Sequence, residues 1–377
     1  MNVDREAACA VPRDGREFRW TAKGWGARIA LVTASLLVSL ALLEVGYRLV
    51  LWGPEGLVKW PNLVHQRMGI GPGSDRCRYT YDATMGWVSP ADCVSESYNS
   101  DADGFRRSTG QAFLAEPPIL VTGSSFAKGD EVNDNEAWPA YLQDMIGRKV
   151  INAGVSGYAF DQTVLSTERL VPKVKPLLVI ASFTPGDIRR AELKVAWSRD
   201  KPFFTVKEGR LGLHNVPVPG KPGEPVLFPL AAEWLGRFAL AELVAERLGV
   251  QRGWYFREAR GAPAGTGEAL ACLLMPRLAA LGVPVIVMAQ YSRNYWDDNG
   301  LYGTAHHRAV RKVLACAAMA GLIPFDTADP LKPAVDSRGA AALYRTDHHS
   351  AEGNRLVAGL VMHKLVNWRL LPRTADR

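Results

Sequence analysis

From residue 117 onward, short apolar runs alternate with longer stretches whose apolar positions recur every three or four residues. The runs Ile119–Thr122, Val150–Ala153, Leu177–Ser182, Val285–Ala289 and Ile323–Asp326 predict strands. The periodic stretches predict helices. One follows Asn133-Asp134, with Trp138, Leu142 and Ile146 on one face; others cover 160–171, 267–281, 304–320 and 351–367. Leu177–Ser182 is almost wholly apolar, as a strand must be when both of its faces are covered. Strand and helix in alternation predict an α/β architecture of three layers, α/β/α, around a mostly parallel sheet. The pattern breaks over about 195–265. Phe203–Val206 and Leu211–Leu213 read as a hairpin about a Glu208-Gly209 turn, followed by a helix at 229–249 and a Gly/Pro-containing linker at 260–267. Such an insertion decorates one rim of the sheet, where it can shape access to a site.

The stretch before residue 117 divides in two. Residues 29–43 carry no charge, and apolar character continues to Trp52 before Gly53-Pro54 ends it. A helix over 29–52 would be about 36 Å long at ~1.5 Å per residue, enough to cross a bilayer. Glu44 and Arg48, at i,i+4, can pair near the outer interface with Arg48 snorkelling, and Trp52 suits an interfacial anchor. Arg5, Arg13, Arg16, Arg19, Lys23 and Arg28 precede the span and keep that side cytoplasmic. A cleaved signal peptide and a buried soluble helix are the rivals, but Glu44-Val45-Gly46-Tyr47-Arg48 offers no small-x-small cleavage site. The expected organisation is a cytoplasmic tail (1–28), a transmembrane anchor (29–52), a loop-rich lead-in (53–116) and an α/β domain (117–370) outside the cytoplasmic membrane, hence periplasmic or extracytoplasmic.

Composition adjusts this picture only slightly. The net charge of +7 is spread among 38 acidic residues in a chain of 377, with no basic run interleaved with aromatics, so nucleic-acid binding is not expected. Cys77 and Cys93 flank a loop-rich stretch and can form a disulfide in an oxidising compartment. Cys272 and Cys316 lie in apolar helical patterns, where buried free thiols are expected. No cysteine or histidine spacing suits a metal, and no cofactor is expected. Tyr291, Tyr295 and Trp296 follow a strand and read as packing; His306-His307 reads as surface.

Chemistry gathers at the strand ends, where open parallel sheets place their sites. Ser125 follows the first strand, Gly157 the second, Gly186-Asp187 the third, and Asp347-His348-His349 precedes the last helix. Extended backbone through 347–349 would set residues i and i+2 on one side. Asp347 would then orient His349 toward Ser125, with His348 turned away. The amides of Ser125 and Gly157 are placed to serve an oxyanion. Taken alone, Ser125 would be a helix cap; Asp347 can also serve as an N-cap of the last helix, a role compatible with orienting the histidine.

Gly123-Ser124-Ser125-Phe126 resembles the Gly-Asp-Ser-Phe block of the SGNH (GDSL-type) hydrolase superfamily. Asn152-Ala153-Gly154-Val155-Ser156-Gly157 resembles its second block, and Asp347-His348-His349 the Asp-x-His of its last block, a spacing also met in polysaccharide O-acetyltransferase relatives. The resemblance covers roughly residues 80–368. It implies a flavodoxin-like fold and a serine esterase working through an acyl-enzyme, with Ser125 as nucleophile, His349 as base and Asp347 as its orienting acid. O-acyl transfer to a cell-surface polysaccharide, or a non-catalytic binder keeping the fold, are the alternatives. The implied partners are an ester-bearing small molecule or polysaccharide, and a membrane. Two departures stand out. Ser124 replaces the family's Asp, and Gly186 replaces the asparagine that would donate to the oxyanion, a loss of the kind that costs about 10²–10³ in rate; Thr184 is a candidate substitute donor.

Overall fold

The structure is a computed structural model. It describes residues 22–58, 60, 62–63, 77, 79–108, 117–220, 233–250, 254, 258–297 and 301–371. The basic residues expected before the span, apart from Lys23 and Arg28, and Cys9 lie outside the described residues. So does the start of the helix expected at 229–249.

Five parallel strands form the central sheet: β1 (Ile119–Gly123), β2 (Val150–Gly154), β3 (Leu178–Phe183), β4 (Val285–Ala289) and β5 (Ile323–Asp326). Their spatial order is β5-β4-β3-β1-β2, with Ile119 in register with both Val150 and Leu178. This is the doubly wound order 2-1-3-4-5, which reverses direction at β1/β3. The apolar runs are explained by period-two alternation onto two buried faces. Leu120, Val179, Ala181, Val285 and Val287 pack under α4 (Phe160–Val174), α7 (Gly267–Ala279) and α8 (Leu301–Met319). Ile119, Val121, Leu178, Ile180, Ile286 and Met288 pack under α3 (Trp138–Ile146) and α10 (Ala351–Asn367). The three-layer α/β/α expectation is therefore met.

Between β1 and α3 runs α2 (Ser125–Lys128), a single turn closed by Gly129. After β3 comes α5 (Pro185–Arg190). The interruption holds the expected hairpin, Phe203–Lys207 against Arg210–His214, and α6 (Ala239–Arg247). The sequence pattern missed α9 (Ala328–Arg338), whose internal Pro333 and sparse apolar positions mask its period.

At the N-terminus, α1 (Ala22–Trp52) is long and apolar enough to cross a membrane. Arg48 pairs with Glu44 as expected, Nε to Oε1 at 2.6 Å, but it does not snorkel. Both side chains are buried against residues 233–240. Cys77 and Cys93 are joined, as are Cys272 on α7 and Cys316 on α8. The second bridge corrects the expectation of free thiols. Two helices with complementary apolar faces bring these cysteines to a Cα–Cα separation of 5.2 Å, within disulfide reach.

Candidate active site

β1 delivers the serine. Gly123 ends the strand where a β-carbon would meet the Ser182 carbonyl oxygen at 2.6 Å, so only glycine lets the chain turn there between β1 and β3. Ser124 then adopts extended backbone and Ser125 opens α2. Ser124, standing where the resemblance expects Asp, donates its hydroxyl to Asp187 at 2.8 Å. Asp187 also accepts the Thr184 amide at 2.8 Å and an ion pair from Arg190. Asp187 thus ties the turn after β1 to the turn after β3 and is fully engaged.

The histidine that reaches Ser125 is His348. Its Nε2 lies 2.8 Å from Ser125 Oγ, and its Nδ1 lies 3.1 Å from Glu131 Oε1. This corrects the expectation of His349 with Asp347. Residues 345–348 do not extend; they form a tight reversal in which the Arg345 amide donates to the His348 carbonyl at 2.9 Å and Tyr344 bridges His349. His348 ends that reversal on the Ser125 side. His349 instead turns inward between Phe126 and Tyr344, with ring centroids at 5.3 and 4.6 Å. Neither of its ring nitrogens has a hydrogen-bond partner of standard geometry. Burial, with the charge of His348, lowers its pKa to about 3 against a weaker pull from the Leu343 backbone. Asp347 contributes backbone: its carbonyl accepts from the Arg293 amide at 3.1 Å.

Glu131 was not anticipated. It sits six residues after Ser125 on the loop that leaves α2, with a left-handed φ of 71°, a conformation costly for a residue with a β-carbon. Its Oε2 accepts the Thr346 amide at 3.0 Å, so one carboxylate holds both the His348 ring and the turn that carries it. The available signal was an acidic residue, unexplained by helix patterning, just beyond the serine turn. Arg106 fixes this loop. Buried at 5% exposure, it donates to the carbonyls of Lys128 (2.9 Å) and Val132 (2.7 Å) and pairs with Asp134 at 2.8 Å.

Burial opposes a charged imidazolium at His348. The Glu131 hydrogen bond and the charges of Asp130, Glu131 and Asp347 outweigh it, and the pKa is raised above the ordinary 6.5. Glu131 is only partly buried; that burial would raise its pKa, yet the hydrogen bond and charge of His348 hold it below the usual carboxylate value.

The loop after β2 presents Gly157 with φ of 79°, where a β-carbon would meet Nε1 of Trp197 at 2.8 Å. Three successive carbonyls of this loop point into the protein. Ser156 accepts from Trp87 Nε1 (3.0 Å), Gly157 from Trp197 Nε1 (3.1 Å) and Tyr158 from Arg190 Nη2 (3.2 Å). Among the described residues, the amides of Ser125 and Gly157 have no acceptor. At position 186 a β-carbon would lie 3.2 Å from Arg190 Nη1, so the guanidinium adjoins the space an asparagine side chain would enter. Thr184 is buried, and its amide is committed to Asp187. Tyr291, Tyr295 and Trp296 pack against one another, with Trp296 donating to the Tyr344 hydroxyl at 2.7 Å. His307 lies 3.4 Å from Asp326 and is half-buried, not purely surface. No group of His, Cys, Asp and Glu suited to a metal occurs among the described residues.

No family model and no curated protein matches the chain. Solved structures do. A lipase/acylhydrolase from Enterococcus faecalis aligns at 15% identity and TM-score 0.41, over 69% of this chain and all of that one. An acetylxylan esterase from Geobacillus stearothermophilus aligns at 13% and 0.38, over 67% and 94%. A member of the lipolytic G-D-S-L family from Veillonella parvula aligns at 13% and 0.39, over 65% and 96%. These neighbours are lipolytic hydrolases and esterases. Likeness at this level carries no argument about chemistry, which stands on the side chains described above.

Proposed function

We propose that the chain is a serine hydrolase of esters, with Ser125 as nucleophile, His348 as general base and Glu131 as the carboxylate that orients it. The observation that carries this reading is the continuous chain Ser125 Oγ–His348 Nε2, His348 Nδ1–Glu131 Oε1, at 2.8 and 3.1 Å. Nucleophile, base and orienter in one line of hydrogen bonds is the arrangement that activates a hydroxyl. Ser125 Oγ adds to the acyl carbon while His348 takes its proton. The amides of Ser125 and Gly157, unpartnered and backed by inward-held carbonyls, face the developing oxyanion. Collapse breaks the ester bond, and His348 returns the proton to the leaving alcohol. Water, deprotonated in turn by His348, then releases the acid and regenerates Ser125.

A fluorophosphonate probe tests this on the folded, detergent-solubilised chain. Wild type becomes labelled and Ser125→Ala does not; absence of labelling on a folded wild type would defeat the enzyme reading in favour of a binder.

The pH dependence follows from His348, which acts only when neutral. With its pKa held above 6.5, ester turnover falls on the acid side through a limb centred above that value. Glu131→Gln removes the charge that raises it. The limb should shift to lower pH and the plateau rate drop by roughly 10²–10⁴-fold. A limb that stays in place would show that Glu131 does not orient the base.

The location belongs to the same proposal. We place the hydrolase on the outer side of a bilayer crossed by α1, supported by that helix's exposed apolar length and by two disulfides, which persist in oxidising compartments. An alkaline phosphatase fusion after residue 60 should be active; an inactive, stably expressed fusion would reverse the orientation.

A further inference from the structure

Helix α6 begins after Phe238, which has no side-chain acceptor to cap it. The cap comes from α1. The two carboxylate oxygens of Glu44 accept the amides of Ala239 (2.8 Å) and Leu240 (2.9 Å). Arg48 donates to the carbonyls of Gly56 (3.3 Å) and Arg237 and lies 3.8 Å from the ring centroid of Trp60. Asn62 Nδ2 donates to the Glu233 carbonyl at 3.0 Å, and the Leu63 amide to Gly236 at 2.7 Å. Residues 233–240 are thus fixed to the last turns of α1 by buried polar contacts, with no freedom to slide along it.

Those contacts also set a level. From Trp25 to Leu43 the helix is exposed throughout. That length is about 27 Å at ~1.5 Å per residue, close to the ~30 Å of a bilayer's hydrocarbon core. Glu44 therefore falls at the outer hydrocarbon boundary. The segment over 233–250 that these contacts hold carries exposed apolar side chains: Trp234 is 71% exposed, Leu248 70%, and Phe238 is exposed as well. Trp52 and Val58, from the end of α1 and the turn after it, are exposed as well. Aromatic side chains are favoured in the headgroup zone, where an apolar body and a polar edge are both satisfied.

We propose that residues 233–250, with the end of α1, form a collar that lies in the outer headgroup region of the bilayer. The collar rests on the reading of α1 as a span. Its occupant is lipid, because the patch is continuous with a helix that already faces lipid and is held at the depth where that lipid ends.

The test uses the full chain with Cys9→Ser, its four other cysteines being paired, in nanodiscs of phosphatidylcholine and phosphatidylglycerol in equal parts. An environment-sensitive fluorophore is placed in turn at Trp234→Cys, Leu248→Cys, Leu40→Cys and Lys207→Cys. Nitroxide lipids labelled near the glycerol should quench positions 234 and 248 several-fold more than position 207, while nitroxide deep in the acyl chains quenches position 40. If position 40 is quenched but 234 and 248 behave like 207, the collar is wrong and the span stands. If position 40 is not quenched, the span reading falls and the collar with it. Blue-shifted emission at 234 without lipid quenching would mean that protein covers the patch, and would overturn the proposal.

Discussion

His348→Ala should lower ester turnover by roughly 10⁴-fold or more, whereas His349→Leu should leave it within about tenfold of wild type. The two histidines are neighbours in sequence and opposites in environment. His348 joins Ser125 to Glu131 through its two ring nitrogens. His349 is buried between aromatic rings with both nitrogens unsatisfied. Replacing an unpaired buried polar group by an apolar one of similar size removes a desolvation cost without losing a hydrogen bond, so His349→Leu should be neutral to stabilising. The pH dependence separates the two further. His349 has a folded pKa of about 3, below its ordinary 6.5, so the unfolded chain takes up the proton first and the fold loses stability as pH falls from about 6.5 toward 3. His349→Leu should flatten that acid loss in melting temperature against pH. A variant His349→Leu that is folded yet inactive would reassign the base.

Arg106→Ala should cost about 3–5 kcal/mol of stability, measured by urea denaturation, and should abolish probe labelling of Ser125 before the sheet itself unfolds. The guanidinium is almost wholly buried and holds Asp134 together with the carbonyls of Lys128 and Val132. Its removal leaves the buried Asp134 carboxylate without its counter-charge, held among the described residues only by Asn99, and takes a donor from the Gly129 and Val132 carbonyls of the loop that carries Glu131. Arg106→Lys keeps the charge but cannot span the same set of acceptors, and should recover stability only in part. If Arg106→Ala melts like wild type, other contacts hold the loop and Arg106 is not what places Glu131.

The parallel sheet was readable from the chain because burial on both faces forces apolar runs, and the helices between them follow from the same demand. That Ser125 and Gly157 lie at strand ends was readable because a serine after a strand and a glycine after the next are positions set by topology. The side chains that meet Ser125 in space were not. Choosing His349 depended on assuming extended backbone, and the reversal at 345–348 depends on Glu131 accepting the Thr346 amide, a contact across most of the chain. Glu131 itself carries no local pattern. Its place is fixed by Arg106, whose acceptors are backbone carbonyls that leave no mark in the sequence. The buried state of Glu44 and Arg48 was hidden for the same reason: a pair at i,i+4 looks alike whether it faces water or another helix.

Ser125 and Glu131 lie six residues apart, while His348 comes 223 residues after the serine. On the proposed reading, the nucleophile and the acid are synthesised long before the base that joins them. A chain cut anywhere between residues 131 and 348 would therefore keep the serine and the carboxylate yet lack the base of the proposed relay.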